Sequence, residues 1–279
     1  MARLGRNRYG KAGVRLVKVD RRTERHELRD LTVAVALQGD FVAAHMSGDN
    51  ARILPTDTMK NSVYGLALEQ LTGPIEEFGA FLAAHFMAAT PITAARIRMQ
   101  EHLWRRIALQ GEEHGHSFVK NGAEVRTARI AATRSRVQVS AGIRGLNLLK
   151  TTNSGFVGYL KDSFTTLPET TDRIFATTLN AEWVYEAGEI DYDRQWASAR
   201  QAIEEVFAQH GSLSVQHTLY AMGEAVLQRC APVTRVRFAL PNRHHLLVDL
   251  ARFGMENRNQ IFVATREPYG LIEAEVLRE

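Results

Sequence analysis

The stretch DRQWASARQAIEEVFAQHGSLSVQHTLYAMGEAVLQRCAPVTRVRFAL, residues 193–240, decides the fold class. Trp196, Ala199, Ile203 and Val206 recur at helical spacing, so 193–210 reads as a helix with one apolar face. Gly211 ends it, because glycine enters the left-handed cap conformation without penalty. Ser214 is placed to cap a second helix, with Val215, Leu219, Met222 and Val226 on one face. The period then changes from 3.6 to 2: Val236, Phe238 and Leu240 alternate with Arg235, Arg237 and Ala239, as in a half-buried strand. Two adjacent helices leading into strands are unlike the strict strand–helix alternation of a parallel sheet.

Working outward, Val137, Val139, Ala141 and Ile143 alternate, 173–186 reads as their strand partner, and Ile272, Ala274 and Val276 alternate near the end. The first half has the same order. Strands are predicted at 13–20 and 27–38, helices at 60–71 and 75–88, and strands near 93–109 and 117–133. Gly73-Pro74 marks a helix start, and Phe78, Leu82, His85 and Phe86 follow at helical spacing. Residues 42–58 are polar and read as irregular. Each half is thus strand-strand-helix-helix-strand-strand. The expected class is α+β, with repeats at 1–134 and 135–279 and helix pairs on one face of antiparallel sheets. A four-stranded sheet leaves open edges, which symmetric assembly can pair edge to edge.

The chain has 279 residues, a charged fraction of 24% and a hydrophobic fraction of 45%, ordinary for a globular protein. It has no apolar run of membrane-spanning length and no apolar segment after its charged N-terminus, so neither a membrane span nor a secretory signal is expected. Cys230 is the single cysteine, which excludes an intrachain disulfide and fits a reducing compartment. The net charge of +4 is local: residues 1–30 carry +6, the remainder −2. These cations are spread through strand-like patterns, which reads as solvated strands or a subunit contact; a nucleic-acid-binding protein remains an alternative that a salt-dependent gel shift would reveal.

Neither a Walker loop, a Gly-x-Gly-x-x-Gly fingerprint, a His-Glu-x-x-His pair nor a Gly-x-Ser-x-Gly elbow occurs. Glu112-Glu113-His114-Gly115-His116 would set two histidines on one side of a strand, without an evident third metal ligand; a polar turn or a hydrogen-bonded histidine pair is the simpler reading. No metal or cofactor is expected.

Five segments are richer in polar and aromatic groups than packing requires: Asn7-Arg8-Tyr9-Gly10-Lys11; Leu54-Pro55-Thr56-Asp57-Thr58 with the following Met59–Tyr64; Gly155-Phe156-Val157-Gly158-Tyr159 with Thr165–Arg173; Ser214-Val215-Gln216-His217-Thr218; and Leu240-Pro241-Asn242-Arg243-His244-His245. In this order and spacing they resemble the urate oxidase family, from about Tyr9 to Ala274.

The resemblance implies tandem tunnelling-fold domains, a homotetramer around a tunnel, and active sites between subunits. It implies oxidation of urate by dioxygen and water to 5-hydroxyisourate and hydrogen peroxide. Arg173 and Gln216 would grip the purine from opposite edges, aided by the Val215 N–H, while Phe156 would stack beneath it. Thr56 and Asp57 would reach in from a neighbouring subunit. Lys11, Thr56 and His244 would relay protons, and Asn242 with Thr56 would hold oxygen or water above the ring. Each residue alone has a plainer reading: Phe156 as core, Arg173 as an ion pair with Asp172 or Glu169, Thr56-Asp57 as caps of a helix beginning near 60, Gln216 as a solvated helix residue, His244 as a strand histidine. Another tunnelling-fold enzyme acting on a pterin or purine, such as a cyclohydrolase or aldolase, is the runner-up; those relatives generally anchor the ring with a glutamate. Leu277-Arg278-Glu279 is not a peroxisomal tripeptide, so a cytoplasmic location is expected.

Overall fold

The structure, a computed structural model, describes residues 2–279. Their contacts divide them into two compact units, one of residues 2–144 with 184–194 and the other of 145–183 with 195–279.

In the first unit, β1 (Tyr9–Asp20) and β2 (Glu27–Gly39) form an antiparallel pair. A short helix α1 (Val42–Met46) follows, then α2 (Thr56–Gln70) and α3 (Ile75–Met87). β3 (Ile92–Leu109), β4 (Glu112–Thr133) and β5 (Val137–Lys150) complete the sheet, in the order β1-β2-β3-β4-β5 with neighbouring strands antiparallel. Strand alternation supplies the core: Leu31, Val33, Val35 and Leu37 of β2, Ile97 and Met99 of β3, and Ala128, Ile130 and Ala132 of β4 are buried with Val63 of α2 and Phe78, Leu82 and Phe86 of α3. α3 lies very close to the strands. A Cβ on Gly79 would come within 2.3 Å of Ile130 Cδ1 and 2.6 Å of Met99 Cε, so any side chain there would have to displace both of these side-chain ends.

In the second unit, the end of β5 is followed by β6 (Phe175–Tyr185), α4 (Tyr192–Gln209), α5 (Val215–Arg229) and β7 (Val233–Arg243). A small hairpin of β8 (His245–Leu247) and β9 (Phe262–Ala264) precedes β10 (Gly270–Leu277), which pairs antiparallel with β7. Val236, Phe238 and Leu240 are buried while Arg237 is exposed, as their alternation requires. Ser214 accepts from the His217 N–H at 3.1 Å and caps α5. α5 too approaches its sheet through a glycine: a Cβ on Gly223 would fall 2.5 Å from Val276 Cγ2 of β10. The second helix of each pair therefore meets its strands by the same device.

The elements follow the expected order, with local differences. Residues 42–58 are not wholly irregular: Phe41, fully buried, anchors the single turn of α1, and α2 starts at Thr56 rather than 60 because Pro55 holds the N-cap position. Thr56 and Asp57 thus belong to the first helical turn and are not caps ahead of it. Glu112–His116 is not a turn but the start of β4. The turn is the pair Gln110-Gly111, both at positive φ, which suits the twist of a two-residue hairpin. There the His114 and His116 rings touch at 4.4 Å, and no group of three or more metal-ligating side chains forms among the described residues.

Inside the first unit, Glu76 at the start of α3 is buried against Arg126 of β4, with 2.7 Å between Oε2 and Nη2; Arg126 also pairs with the more exposed Asp193. Burial, opposed by Arg126, holds the Glu76 carboxyl above the ordinary glutamate range. Folding therefore favours the protonated acid: that contribution is full below the ordinary glutamate value and fades as pH rises through the raised one. Glu76→Gln, which cannot titrate, is expected to gain stability relative to wild type as pH rises through this window, in urea unfolding at a series of pH values. Glu76→Ala is expected to lose about 3 kcal/mol, because it strips a buried guanidinium of its buried carboxylate.

Candidate active site

Four of the expected site residues converge in the second unit because three chain segments share one backbone ladder. Residues 153–156 form its middle rung. On one side, Gly155 N–H donates to Ser212 O (2.8 Å) and Ser212 N–H to Asn153 O (3.0 Å). On the other, Phe156 N–H donates to Thr170 O (2.7 Å), Thr170 N–H returns to Phe156 O (3.2 Å), and Arg173 N–H donates to Ser154 O (2.8 Å). Phe156 and Arg173 are thereby fixed by main-chain bonds, and so is Ser212, three residues ahead of Val215 and the first turn of α5. Asp172 tightens the ladder: Thr152 Oγ1 donates to its carboxylate at 2.8 Å, which holds the carboxyl below its usual range.

The Arg173 guanidinium is half-buried and lies over the Phe156 ring at 5.3 Å. It has no carboxylate partner among the described residues. Asp172 is engaged by Thr152, and Glu169 by Lys161 at 2.9 Å. The simple ion-pair reading of Arg173 thus fails on geometry, and desolvation by burial lowers its pKa. At α5, the Ser214 hydroxyl satisfies the third N–H of the turn, which leaves the Val215 and Gln216 N–H groups without a capping side chain. Gln216 is exposed and Val215 buried. A planar cation beside an aromatic face and a turn with spare donors suits a flat, carbonyl-rich anion.

Tyr159, which ends one of the five segments but carried no expected role, stacks its ring on Phe156 at 4.7 Å with 13° between planes. One face of Phe156 is therefore already covered. The only signal was an aromatic residue three places along the same Gly-rich segment.

Asn242 ends the β7 ladder opposite Gly270, and His244 follows in the link to β8, not inside a strand; its carbonyl accepts from Thr265 N–H at 2.9 Å. His244 lines a cavity of about 470 Å³ with Leu246, Thr265, Glu267 and Tyr269. Neither residue has a hydrogen bond or ring contact to Phe156 or Arg173 among the described residues.

The remaining site residues belong to the first unit. Lys11 sits on β1, just before a register shift that ends at Val14, and lines a recess of about 200 Å³ with Tyr9, Gly10, Val35 and Arg98. Thr56 and Asp57 open α2, whose N-cap is Pro55, so its first N–H groups have no side-chain cap either. The Asp57 carboxylate is taken by Lys60 and Asn61 of its own helix. Lys60, with Asn61 and Lys11 adding to it, keeps that carboxyl below its ordinary value. What Asp57 offers outward is backbone.

The family model described as Uricase matches residues 7–131 and 139–273. The chain belongs to the uricase family. It is 47% identical over 277 residues to the uricase of Arthrobacter globiformis, covering 99% of this chain and 90% of that one, and 37% identical over 283 residues to the uricase of Dictyostelium discoideum, covering 100% and 98%. The crystal structure of uricase from Arthrobacter globiformis superposes with a TM-score of 0.96 at 46% identity, covering 100% of this chain and 96% of that one. Membership of the uricase family excludes the pterin-enzyme reading of the same element order.

The ladder predicts how the loop responds to damage. Asp172→Ala, which removes the carboxylate joining Thr152 and the Ser154 N–H, is expected to raise amide exchange at Ser154 and Arg173 by about tenfold, about 1.4 kcal/mol of local opening, and to leave exchange in β7 unchanged. Hydrogen-exchange mass spectrometry resolved to these peptides measures it.

Proposed function

We propose that Phe156, Arg173, Val215, Gln216 and Asn242 bind urate, and that Lys11, Thr56 and His244 move its protons. As a member of the uricase family the chain is an oxidoreductase acting on urate. The observation that carries the residue assignment is Arg173: its guanidinium is half-buried, over an aromatic ring and, among the described residues, unpaired with any carboxylate, while its backbone N–H is bonded into the ladder that leads to α5.

Urate is a flat purine anion. Arg173 donates two parallel bonds to one edge, matching a carbonyl and a ring nitrogen. Gln216, with an amide that donates and accepts, and the Val215 N–H meet the other edge. Phe156, whose ring packs against Tyr159 and the Arg173 guanidinium, supports the purine. Thr56 and Asp57 contribute N–H groups from the first turn of α2. Lys11, Thr56 and His244 draw a further proton from the bound anion. The electron-rich ring then reduces dioxygen, and recombination forms a peroxide at ring carbon 5. Departure of hydrogen peroxide and addition of water give 5-hydroxyisourate. The two electrons leaving the purine are those gained by dioxygen, so the balance closes without a further redox partner, and the protein contributes orientation and proton transfer.

We further propose tandem repeats at 1–134 and 135–279 and a homotetramer in which each site takes Lys11, Thr56 and Asp57 from one subunit and the Phe156–Arg173–Gln216 group from another. Exposed apolar side chains suited to subunit contact support this, among them Leu160 at 97%, Phe164 at 87% and Leu68 at 75%. No helix is long and apolar enough to cross a membrane among the described residues; a cytoplasmic location is proposed.

Ultraviolet absorbance of urate in air, with peroxide detection, tests the reaction. Activity is expected to persist after exhaustive treatment with chelator and removal of any flavin; loss restored by one added metal would refute the cofactor-free route. Arg173→Ala is expected to weaken urate binding by about 10- to 150-fold, the effect of one charge-assisted contact worth about 1.5–3 kcal/mol, as read by anaerobic titration. Mixing Thr56→Ala and Arg173→Ala chains after dissociation, assayed at a urate concentration too low for either alone to turn over, is expected to restore about a quarter of the sites, since random pairing puts both intact halves at that share of interfaces. Mixed oligomers seen by native mass spectrometry yet without activity would place each site within one chain.

A further inference from the structure

Behind the first turn of α5 lies a cluster that the proposed reaction leaves unused. α4 ends at Gln209, and the next residue, His210, is held in place by three elements. Its N–H still donates to Val206 O at 2.9 Å. Its carbonyl accepts from Lys150 Nζ, at the end of β5, at 2.6 Å. Its side chain faces α5: Nδ1 is 3.2 Å from Thr218 Oγ1, and the ring meets His217 edge-on at 4.3 Å.

Thr218 is fully buried, and its own N–H donates to Ser214 O at 3.2 Å. His217 is the residue capped by Ser214. His210 therefore bears on the third and fourth residues of α5, while Val215 and Gln216 are the first and second. A helix start is the part most prone to fray, and here the Ser214 cap and the Ser212 hydroxyl, which donates to Ser214 O at 3.0 Å, restrain it as well. The charges acting on His210 are His217 and Lys150, both basic, and with burial they push its pKa down. The ring is thus neutral near pH 7, and its Nδ1 shares one hydrogen bond with the Thr218 hydroxyl.

We propose that His210 is a positioning residue for the substrate: acting through Thr218 and His217, it fixes the turn of α5 that presents the Val215 N–H and the Gln216 amide to the purine. This rests on the assignment of that turn to urate made above. Residue 210 touches no reacting atom, so the expected signature is in binding rather than in turnover.

The test uses His210→Ala, His210→Gln, Thr218→Val and the double variant His210→Ala with Thr218→Val, with steady-state kinetics on urate and anaerobic urate titration. His210→Ala is expected to raise KM and Kd for urate by about 5- to 30-fold while kcat stays within about twofold. His210→Gln, whose amide can bond Thr218, is expected to recover most of the affinity. The double variant is expected to be no worse than the weaker-binding single variant, because the two residues act through one contact. Unchanged KM in His210→Ala, a loss confined to kcat, or a glutamine variant no better than alanine would each overturn the proposal. If His210→Ala does not fold, Thr218→Val takes its place, and normal urate affinity in that variant overturns the proposal. Gln216→Ala separates the two readings. If it weakens urate binding and His210→Ala does not, His210 has no positioning role. If it leaves urate binding unchanged, the turn is not a purine jaw and both assignments fall.

Discussion

The closeness of a helix to its sheet governs everything else in each unit. α3 reaches β3 and β4 through Gly79, and α5 reaches β10 through Gly223; at either position even a methyl group would collide. Packed interiors resist such intrusion, since neighbouring side chains must leave their rotamers to admit it. This closeness has a direct effect on chemistry. The first turn of α5 lies two helical turns from Gly223, so its height above the strands is set by that contact. The Val215 N–H and the Gln216 amide inherit their positions from a residue that touches no ligand.

Periodicity made the elements legible. The switch from helical to strand spacing between Val226 and Val236 is an intrinsic signal of two burial geometries, and the structure has α5 and β7 at those places. Boundaries were read less well where the deciding residue acts through the backbone. Gln110 at positive φ looks like any polar residue in a sequence, but with Gly111 it makes the hairpin that turns Glu112–His116 into strand. Pro55 carried the signal for the start of α2, yet a proline both starts and interrupts helices, and only the path of the chain after Phe41 decides between them.

The site was legible to the extent that its groups are chemical rather than geometric. Phe156, Arg173 and Gln216 stand in segments whose polarity exceeds what packing needs, and the structure sets Phe156 and Arg173 in contact. Ser154 and Ser212 gave no such signal, because they serve through main-chain bonds that any residue type could form. Tyr159 and His210 escaped for another reason. An aromatic residue near a glycine, or a histidine after a helix, has many innocent explanations, and only a ring distance removes them. Why Arg173 lacks a carboxylate is also invisible in sequence, where Asp172 and Glu169 stand nearby; their commitments to Thr152 and Lys161 depend on how the loop folds.

The ladder through Asn153, Ser154 and Gly155 has a mechanical meaning. Platform, cation and helix turn hang from one set of peptide bonds, so none of them can swing against the others without breaking several hydrogen bonds at once. Such a cleft behaves as a mould rather than a pair of tweezers. It discriminates by whether a molecule already has the right outline, and little of the binding energy is diverted into shaping the protein around its guest. If these groups hold the purine as proposed, one with a carbonyl displaced would meet donors that cannot shift singly to follow it.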